Sequence, residues 1–177
     1  LQGDAGRDRL VGDAGADRMD GGADNDDLRG GADADTLLGG IGNDTLYGED
    51  GDDLVIGGGD EEDLSGGAGA DTVRGGDGRD YLFGETGRDL LFGDAGDDAL
   101  YGGGYAANEG DTLHGGAGND MADGQGGNDL LLGGDGDDIL DGSYGDDRLV
   151  GGAGANTLDG DAGDDSLFAA EGRDLLA

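Results

Sequence analysis

A nine-residue period runs through the chain and constrains its fold more than any other feature. Counting from Gly3, the sequence divides into 19 blocks, of which residues 39–47 (GGIGNDTLY) and 133–141 (GGDGDDILD) are clear copies. The twelfth block, residues 102–114, carries four extra residues at 105–108, and with Leu1 and Gln2 the blocks account for all 177 residues. No linker or change of composition interrupts the period, so we expect residues 1–177 to form one repeat domain.

Three positions of the block hold one residue type almost throughout. Position one is Gly in 18 of the 19 blocks, and Ala169 is the exception. Position six is Asp in 17 blocks, with Glu62 and Asn156 as the exceptions, and position eight is Leu in 15 blocks. A disordered low-complexity tract has no reason to keep three positions in phase, so the pattern indicates a folded repeat structure.

The spacing of the apolar residues favours strands and argues against helices. A helix needs an apolar residue at every third or fourth position, whereas the fixed apolar position recurs every ninth residue. We predict a short strand at positions seven to nine, with position eight pointing into the core, and a tight turn at positions one to six. Gly at positions one, two and four would supply positive φ angles. Two blocks would form one coil, and the coils would stack as parallel strands about 4.8 Å apart, giving an all-β parallel β-roll, a β-solenoid with two repeats per coil.

The composition is strongly acidic and poor in apolar residues. The chain has 44 Asp and Glu against nine Arg, a formal net charge of -35, and 33% hydrophobic residues. This charge disfavours binding to nucleic acid or to anionic membranes. We expect no transmembrane helix, no amino-terminal signal peptide and, without Cys, no disulfide or thiolate metal site. A chain of this composition stays unfolded unless something neutralises the acidic residues.

The acids at position six suggest what neutralises them. In an 18-residue coil, each block lies beneath the block two further along, so the position-six carboxylates stack and repel one another. Calcium binds six to eight oxygens and combines carboxylates with backbone carbonyls, which Gly-rich turns expose, whereas zinc prefers His or Cys. Pairing each block with the next but one gives 19 minus 2, hence at most about 17 sites, and 17 Ca²⁺ would carry +34 against the chain's -35.

The repeat resembles the repeats-in-toxin (RTX) family, whose calcium-binding nonapeptide has the pattern GGxGxDxUx. The resemblance implies a right-handed parallel β-roll with calcium between stacked turns. It also implies a secreted bacterial protein, exported unfolded by type I secretion, that folds when it meets extracellular calcium. The implied ligands are the position-six acids, completed by backbone carbonyls of positions one to four. These acids are Asp8, Asp17, Asp26, Asp35, Asp44, Asp53, Glu62, Asp71, Asp80, Asp89, Asp98, Asp111, Asp120, Asp129, Asp138, Asp147, Asp165 and Asp174.

Several blocks depart from the family pattern. Glu62 is longer than Asp, and Asn156 is neutral. The insertion Tyr105-Ala106-Ala107-Asn108 is expected to disturb the sites around block twelve, and Ala169-Ala170 replaces both leading Gly of the last block. At these places the sequence fits the family's calcium-binding pattern less well than in the regular blocks.

The favoured function is a structural calcium-binding repeat region. Two alternatives remain open: a self-assembling extracellular filament or surface-layer subunit, and the carboxy-terminal repeat tail of a larger secreted protease, lipase or toxin. The chain has no H-E-x-x-H or G-x-S-x-G motif, and its single His114 stands alone. We therefore expect no enzymatic activity and no catalytic residues within these 177 residues.

The outward positions seven and nine differ between even-numbered and odd-numbered blocks. We call the two outer faces the even wall and the odd wall. The even wall is the more apolar in the sequence, and contiguous exposed apolar area usually marks a contact surface. We expect it to pack on another copy of the chain or on a flanking domain, through Leu38, Leu54, Ile56, Leu90, Phe92, Leu130 and Leu132.

Overall fold

The computed structural model describes residues 1–104, 109–169 and 173–177. The insertion at 105–108 and Ala170, both singled out in the sequence, lie outside the described residues. The described residues form twenty β-strands and no helix, so none of them belongs to a helix that could span a membrane. The strands are β1 (Gln2–Ala5), β2 (Arg9–Ala14), β3 (Arg18–Ala23), β4 (Asp27–Ala32), β5 (Thr36–Ile41), β6 (Thr45–Asp50), β7 (Leu54–Gly59), β8 (Asp63–Ala68), β9 (Thr72–Asp77), β10 (Tyr81–Thr86), β11 (Leu90–Ala95), β12 (Ala99–Gly103), β13 (Thr112–Ala117), β14 (Met121–Gln125), β15 (Leu130–Asp135), β16 (Ile139–Asp141), β17 (Arg148–Ala153), β18 (Thr157–Asp159), β19 (Ser166–Phe168) and β20 (Leu175–Leu176).

The strands form two parallel sheets that together make a β-solenoid. One sheet contains the odd-numbered strands in the order β1, β3 and so on to β19, and the other contains the even-numbered strands from β2 to β20. Each strand pairs with the strand two further along, as in Leu37↔Val55 and Leu46↔Leu64. The chain therefore crosses from one sheet to the other in every block and returns after 18 residues, or after 22 where the coil contains block twelve. This confirms the predicted all-β parallel roll with two repeats per coil.

Position eight forms the core, as the sequence predicts. The position-eight side chains from Met19 to Leu158 are fully buried, and they form one continuous cluster with Leu10. Each sheet contributes one column of these side chains, so the interior is a thin double column of mostly Leu. No second apolar layer covers the described sheets, and the fold depends on contacts between neighbouring coils.

The strands are longer than the sequence predicts. Most contain six residues, from position seven to position three of the next block, and the turn is confined to positions four to six. The extension arises because positions one to three also pair with the next coil, as in Gly40↔Gly58. Residues at position two nevertheless have positive φ, including the non-Gly residues Asp13 (71°) and Glu49 (77°).

Gly at position one has a different role from the one that we predicted. No described Gly at position one has a positive φ. Instead, position one points into the coil, where a Cβ on Gly21 would lie 2.5 Å from Oδ2 of Asp26 and 2.8 Å from the carbonyl oxygen of Gly39. Position one is Gly because a side chain would collide with the position-six carboxylate and with the adjacent coil.

The two walls carry side chains that stack along the solenoid axis. On the odd-numbered strands, which carry the even wall, the rings of Phe92 and His114 lie 4.9 Å apart. On the odd wall, Phe83 and Tyr101 stack at 5.1 Å. Exposure alone does not single out the even wall, because its Leu54 is 36% exposed whereas Ile139 on the odd wall is 53% exposed.

The core assignment predicts how single substitutions rank in their effect on stability. Leu91→Ala should lower the free energy of unfolding by about 2–5 kcal/mol, because it leaves a cavity in the fully buried column. Arg88→Ala, at an exposed turn position of the same block, should change it little. Chemical denaturation at saturating calcium measures both, and equal losses for the two variants would contradict the assignment of position eight to the core.

Candidate metal centres

The position-six residues stack into two ladders, one along each edge where the chain passes between the sheets. In each ladder, Oδ1 of one residue accepts a hydrogen bond from the backbone N–H of the equivalent residue one coil earlier. The N–H of Asp35, for example, donates to Oδ1 of Asp53 at 2.7 Å, and that of Asp26 donates to Asp44 at 2.8 Å. These bonds join adjacent coils and fix the direction of each Asp carboxylate that accepts one.

All predicted ligands lie in one of these ladders. The even ladder contains Asp17, Asp35, Asp53, Asp71, Asp89, Asp111, Asp129, Asp147 and Asp165. The odd ladder contains Asp8, Asp26, Asp44, Glu62, Asp80, Asp98, Asp120, Asp138, Asn156 and Asp174.

In thirteen of these residues the second carboxylate oxygen is buried and has no hydrogen-bond partner among the described residues. Asp44, Asp89 and Asp129 are each at most 2% exposed, yet Oδ2 of each meets no donor in the described part of the chain. A buried polar atom without a partner is costly, and a charged one is more so. Such an oxygen requires a proton or a cation. The residues with a buried, unpartnered Oδ2 are Asp8, Asp26, Asp35, Asp44, Asp53, Asp71, Asp80, Asp89, Asp98, Asp120, Asp129, Asp138 and Asp147.

These oxygens converge with backbone carbonyls on the space left by Gly at position one. A Cβ on Gly93 would lie 2.4 Å from Oδ2 of Asp98 and 2.5 Å from the carbonyl oxygen of Gly115, one coil further on. The corresponding distances at Gly39 are 2.5 Å to Asp44 and 2.7 Å to Gly57. We call this space the glycine cradle. A carboxylate oxygen and a carbonyl oxygen that lie together on this side of the turn are hard ligands of the kind that Ca²⁺ prefers, so the residues fit this ion. The ion itself would lie further from the Gly backbone, since the place of a Cβ is within bonding distance of Cα.

Side chains alone do not complete a metal site. No group of three or more His, Cys, Asp or Glu side chains in the described ranges is placed to hold a metal ion. Since Ca²⁺ takes six to eight oxygens, each ion would have to draw most of its ligands from backbone carbonyls and water. A calcium site in this structure would therefore depend on turn carbonyls as well as on the position-six acids.

Burial raises the pKa of twelve of the position-six carboxyl groups. It raises the pKa of Asp129 to about 7, and the neighbouring Asp147 carboxylate adds to the shift, although the N–H of Asp111 opposes it. Burial likewise raises the pKa of Glu62 to about 9. In the absence of a cation, these groups resist ionisation near neutral pH. The pKa is also raised to about 7 for Asp71, Asp89, Asp98 and Asp111, and to about 6 for Asp44, Asp120 and Asp147.

Two residues of the odd ladder break its regularity. Glu62 does not accept a bond from the N–H of Asp44, and both of its carboxylate oxygens are buried without partners. Asn156 keeps the ladder bond, since its Oδ1 accepts the N–H of Asp138 at 2.8 Å, but its Nδ2 lies where the Asp residues of the regular blocks place Oδ2.

Position five forms a second set of contacts that sequence reasoning missed. Oδ1 of Asp52 accepts the N–H of Ala70 at 2.9 Å, and Oδ1 of Asn128 accepts the N–H of Asp146 at 3.0 Å. These exposed side chains cap the turn one coil further on. The signal was the frequency of Asn and Asp at position five, since both residues favour turns by bonding to nearby backbone.

The raised pKa values predict that acid stabilises the metal-free fold. In the unfolded chain these carboxyl groups titrate near pH 3.9, whereas burial raises the folded pKa of most to about 6 or 7. The folded state therefore binds more protons across this window. Its stability is fully present below about pH 4 and is lost as pH rises toward about 7.

Circular dichroism in metal-depleted buffer measures this dependence. We expect β signal near pH 4 and its loss by neutral pH. Asp129→Asn should flatten the transition, whereas Asp164→Asn, at an exposed position five, should not. A signal that stays constant or grows with pH across this range would contradict the assignment.

Comparison with known proteins agrees with this geometry. The family model described as the RTX calcium-binding nonapeptide repeat matches residues 1–28, 29–61, 38–73, 56–91, 74–104, 105–140 and 141–176. No curated protein matches the chain. RTX repeats bind calcium and are characteristic of secreted bacterial proteins, in which the β-solenoid is a structural calcium-binding domain. The matches span nearly the whole sequence, and the chain therefore belongs to the RTX calcium-binding nonapeptide-repeat family.

Proposed function

We propose that this chain is a calcium-dependent folding module of a secreted bacterial protein. It leaves the cell unfolded by type I secretion and folds outside, where calcium is abundant. The observation that carries the proposal is the double row of buried position-six oxygens, which have no partner among the described residues and face a glycine cradle. A fold that buries so many carboxylates needs a cation to balance them.

The proposed ligands are the position-six acids of both ladders, from Asp8 to Asp174, together with turn carbonyls. Asn156 is excluded because it has no carboxylate. In this proposal the whole chain acts as one domain and binds at most about 17 ions, the number of block pairs. Calcium supplies positive charge at each cradle, and the protein's part is to orient one carboxylate oxygen and one carbonyl toward it.

Two features of the chain favour folding that is coupled to calcium. The core is a single double column, which offers little burial to offset a chain entropy of about 1–2 kcal/mol per residue. The net charge of -35 adds self-repulsion. Ions that bind only the folded state stabilise it by mass action, so many weak sites together can shift the equilibrium completely.

The role is structural rather than catalytic. The same carboxylate, carbonyl and Gly recur in coil after coil, and a reaction centre would require a unique arrangement at one place. Catalysis, if the parent protein performs any, belongs to residues outside these 177.

Calcium dependence of folding tests the proposal directly. In excess EGTA at neutral pH the far-ultraviolet circular dichroism should be that of an unfolded chain, and added Ca²⁺ should produce β signal cooperatively. Mg²⁺ at the same concentration should not, since it demands stricter octahedral geometry and keeps its waters. A complete β-roll in EGTA at neutral pH would contradict the proposal.

A matched pair of variants separates ligand loss from general damage. Asp89→Ala should raise the calcium concentration at half-folding, because Asp89 is 2% exposed and its Oδ2 faces the Gly84 cradle. Asp97→Ala removes an equal charge from the exposed position five and should raise it less. If both variants raise the calcium concentration at half-folding equally, calcium-dependent folding depends on total charge and not on the cradle.

Assembly through the even wall is a second candidate role. The specific observation is a row in which Thr36, Leu54, Thr72 and Leu90 occupy adjacent strands in register, next to the pair Leu38 and Ile56. Thr and Leu therefore alternate along this outer face. We propose that the face packs on another copy or on a flanking domain.

Light scattering in calcium tests the even wall. Leu54→Asp combined with Phe92→Asp should shift an assembled wild type to monomer without changing its β signal. Tyr81→Asp combined with Ile139→Asp places the same charges on the odd wall and should leave assembly intact. A wild type that is monomeric at all concentrations would contradict assembly through copies of this chain.

A further inference from the structure

The two ladders of position-six residues are unequal, and this inequality bears on how calcium is bound. All nine residues of the even ladder are Asp, and each N–H from Asp17 to Asp147 donates to the carboxylate one coil further on. The odd ladder contains both exceptions to Asp, Glu62 and Asn156. The inference below rests on the proposed function, because it concerns which of the proposed sites hold an ion.

Asn156 places a donor where the Asp residues of the regular blocks place an oxygen. Its Oδ1 is held by the N–H of Asp138, so the orientation of the amide is fixed by that bond. Its Nδ2 then points inward, lies 2.7 Å from the place of a Cβ on Gly151, and donates to the carbonyl oxygen of Gly152 at 3.5 Å. Asn156 is 1% exposed and, unlike the neighbouring Asp138, has no unpartnered atom among the described residues.

An amide N–H in the cradle changes what the cradle can bind. In the Asp blocks an oxygen faces this space, and a cation balances it. In the Asn156 block an N–H occupies the same space and donates to a backbone carbonyl, which a cation would otherwise attract. Both ends of the amide group are therefore hydrogen-bonded without an ion, and its inward N–H repels a cation.

Glu62 disrupts its cradle in a different way. Its Cγ methylene group lies 2.7 Å from the place of a Cβ on Gly57, and its nearest carboxylate oxygen is 3.1 Å away. In the regular blocks the oxygen itself comes as close as 2.3–2.8 Å. The extra methylene group also removes the ladder bond from the N–H of Asp44, which leaves both oxygens of Glu62 unpartnered among the described residues.

We infer that the odd ladder is divided at Glu62 and Asn156, and that the chain consequently has two classes of calcium site. The even ladder binds calcium as one uninterrupted row. In the odd ladder, the coil at Asn156 is held by the amide group and binds no ion at position six, whereas the coil at Glu62 needs an ion but holds it poorly. Calcium fills the even ladder first, and the Glu62 site fills last.

Ion counts by native mass spectrometry at saturating calcium test the role of Asn156. Asn156→Asp should bind at least one ion more than the wild type, because it restores an inward carboxylate oxygen. Asn128→Asp is the matched control. It makes the same substitution at position five, where Oδ1 already caps the N–H of Asp146, and should leave the ion count unchanged.

Asp147→Asn provides the reverse change in the even ladder. It replaces a buried Asp, whose Oδ2 is unpartnered, with the amide that Asn156 carries naturally. It should lose at least one ion. If Asn156→Asp gains no ion while Asp147→Asn loses one, the inference is wrong and the proposed function stands. If the wild type binds no calcium, the proposed function fails.

Glu62→Asp tests the second interruption. It should restore the ladder bond from the N–H of Asp44 and remove the phase of the calcium titration that occurs at the highest concentration. The weakest step should tighten roughly tenfold or more, the scale on which misplaced groups around a metal alter affinity. An unchanged titration curve would overturn this part of the inference.

Hydrogen exchange on the wild type needs no substitution. At sub-saturating calcium, peptides that cover the turn at Asn156 should become protected before peptides that cover the turn at Glu62. The opposite order, or simultaneous protection, would overturn the inference even if one of the variants fails to fold.

Discussion

Burial of carboxylates without an internal counter-charge is the constraint on which the rest of the structure depends. In the regular blocks the ladder bond satisfies only Oδ1 of the position-six Asp, and Oδ2 is left facing the glycine cradle. Arg side chains do not solve the problem, because the four salt bridges in the described residues involve other acids and lie at the surface. The fold therefore has a built-in requirement for protons or for cations, and at neutral pH that requirement selects cations.

Gly at position one follows from the same constraint. A Cβ at Gly133 would meet Oδ2 of Asp138 at 2.3 Å and the carbonyl oxygen of Gly151 at 2.4 Å, so neither the carboxylate nor the coil spacing would survive a side chain there. The small residue, the acid five positions later and the next coil's carbonyl form one unit. Because each unit includes a carbonyl from the adjacent coil, the nine-residue period and the stacking of coils depend on each other.

Much of the fold could be predicted from the period alone, and the missing parts depended on contacts between coils. Leu at position eight indicated the core, and Asp at position six indicated the ladders, since both residues recur in phase. The extension of the strands to position three arises from pairing such as Gly22↔Gly40, which no single block reveals. The steric role of Gly at position one depends on a carbonyl oxygen of the next coil, 18 residues further along the chain. The inward N–H of Asn156 depends on how its amide group is oriented by the bond from Asp138. Neither could be predicted from composition or spacing.

The central claim is that calcium occupies the space faced by the buried position-six oxygens. Anomalous X-ray diffraction from crystals grown in calcium measures this directly. The account predicts two rows of calcium peaks along the edges of the roll, each peak beside a position-six carboxylate, with a gap at Asn156. Crystals that show the same fold with water or a shared proton at Oδ2, and no calcium peaks in either row, would contradict the account.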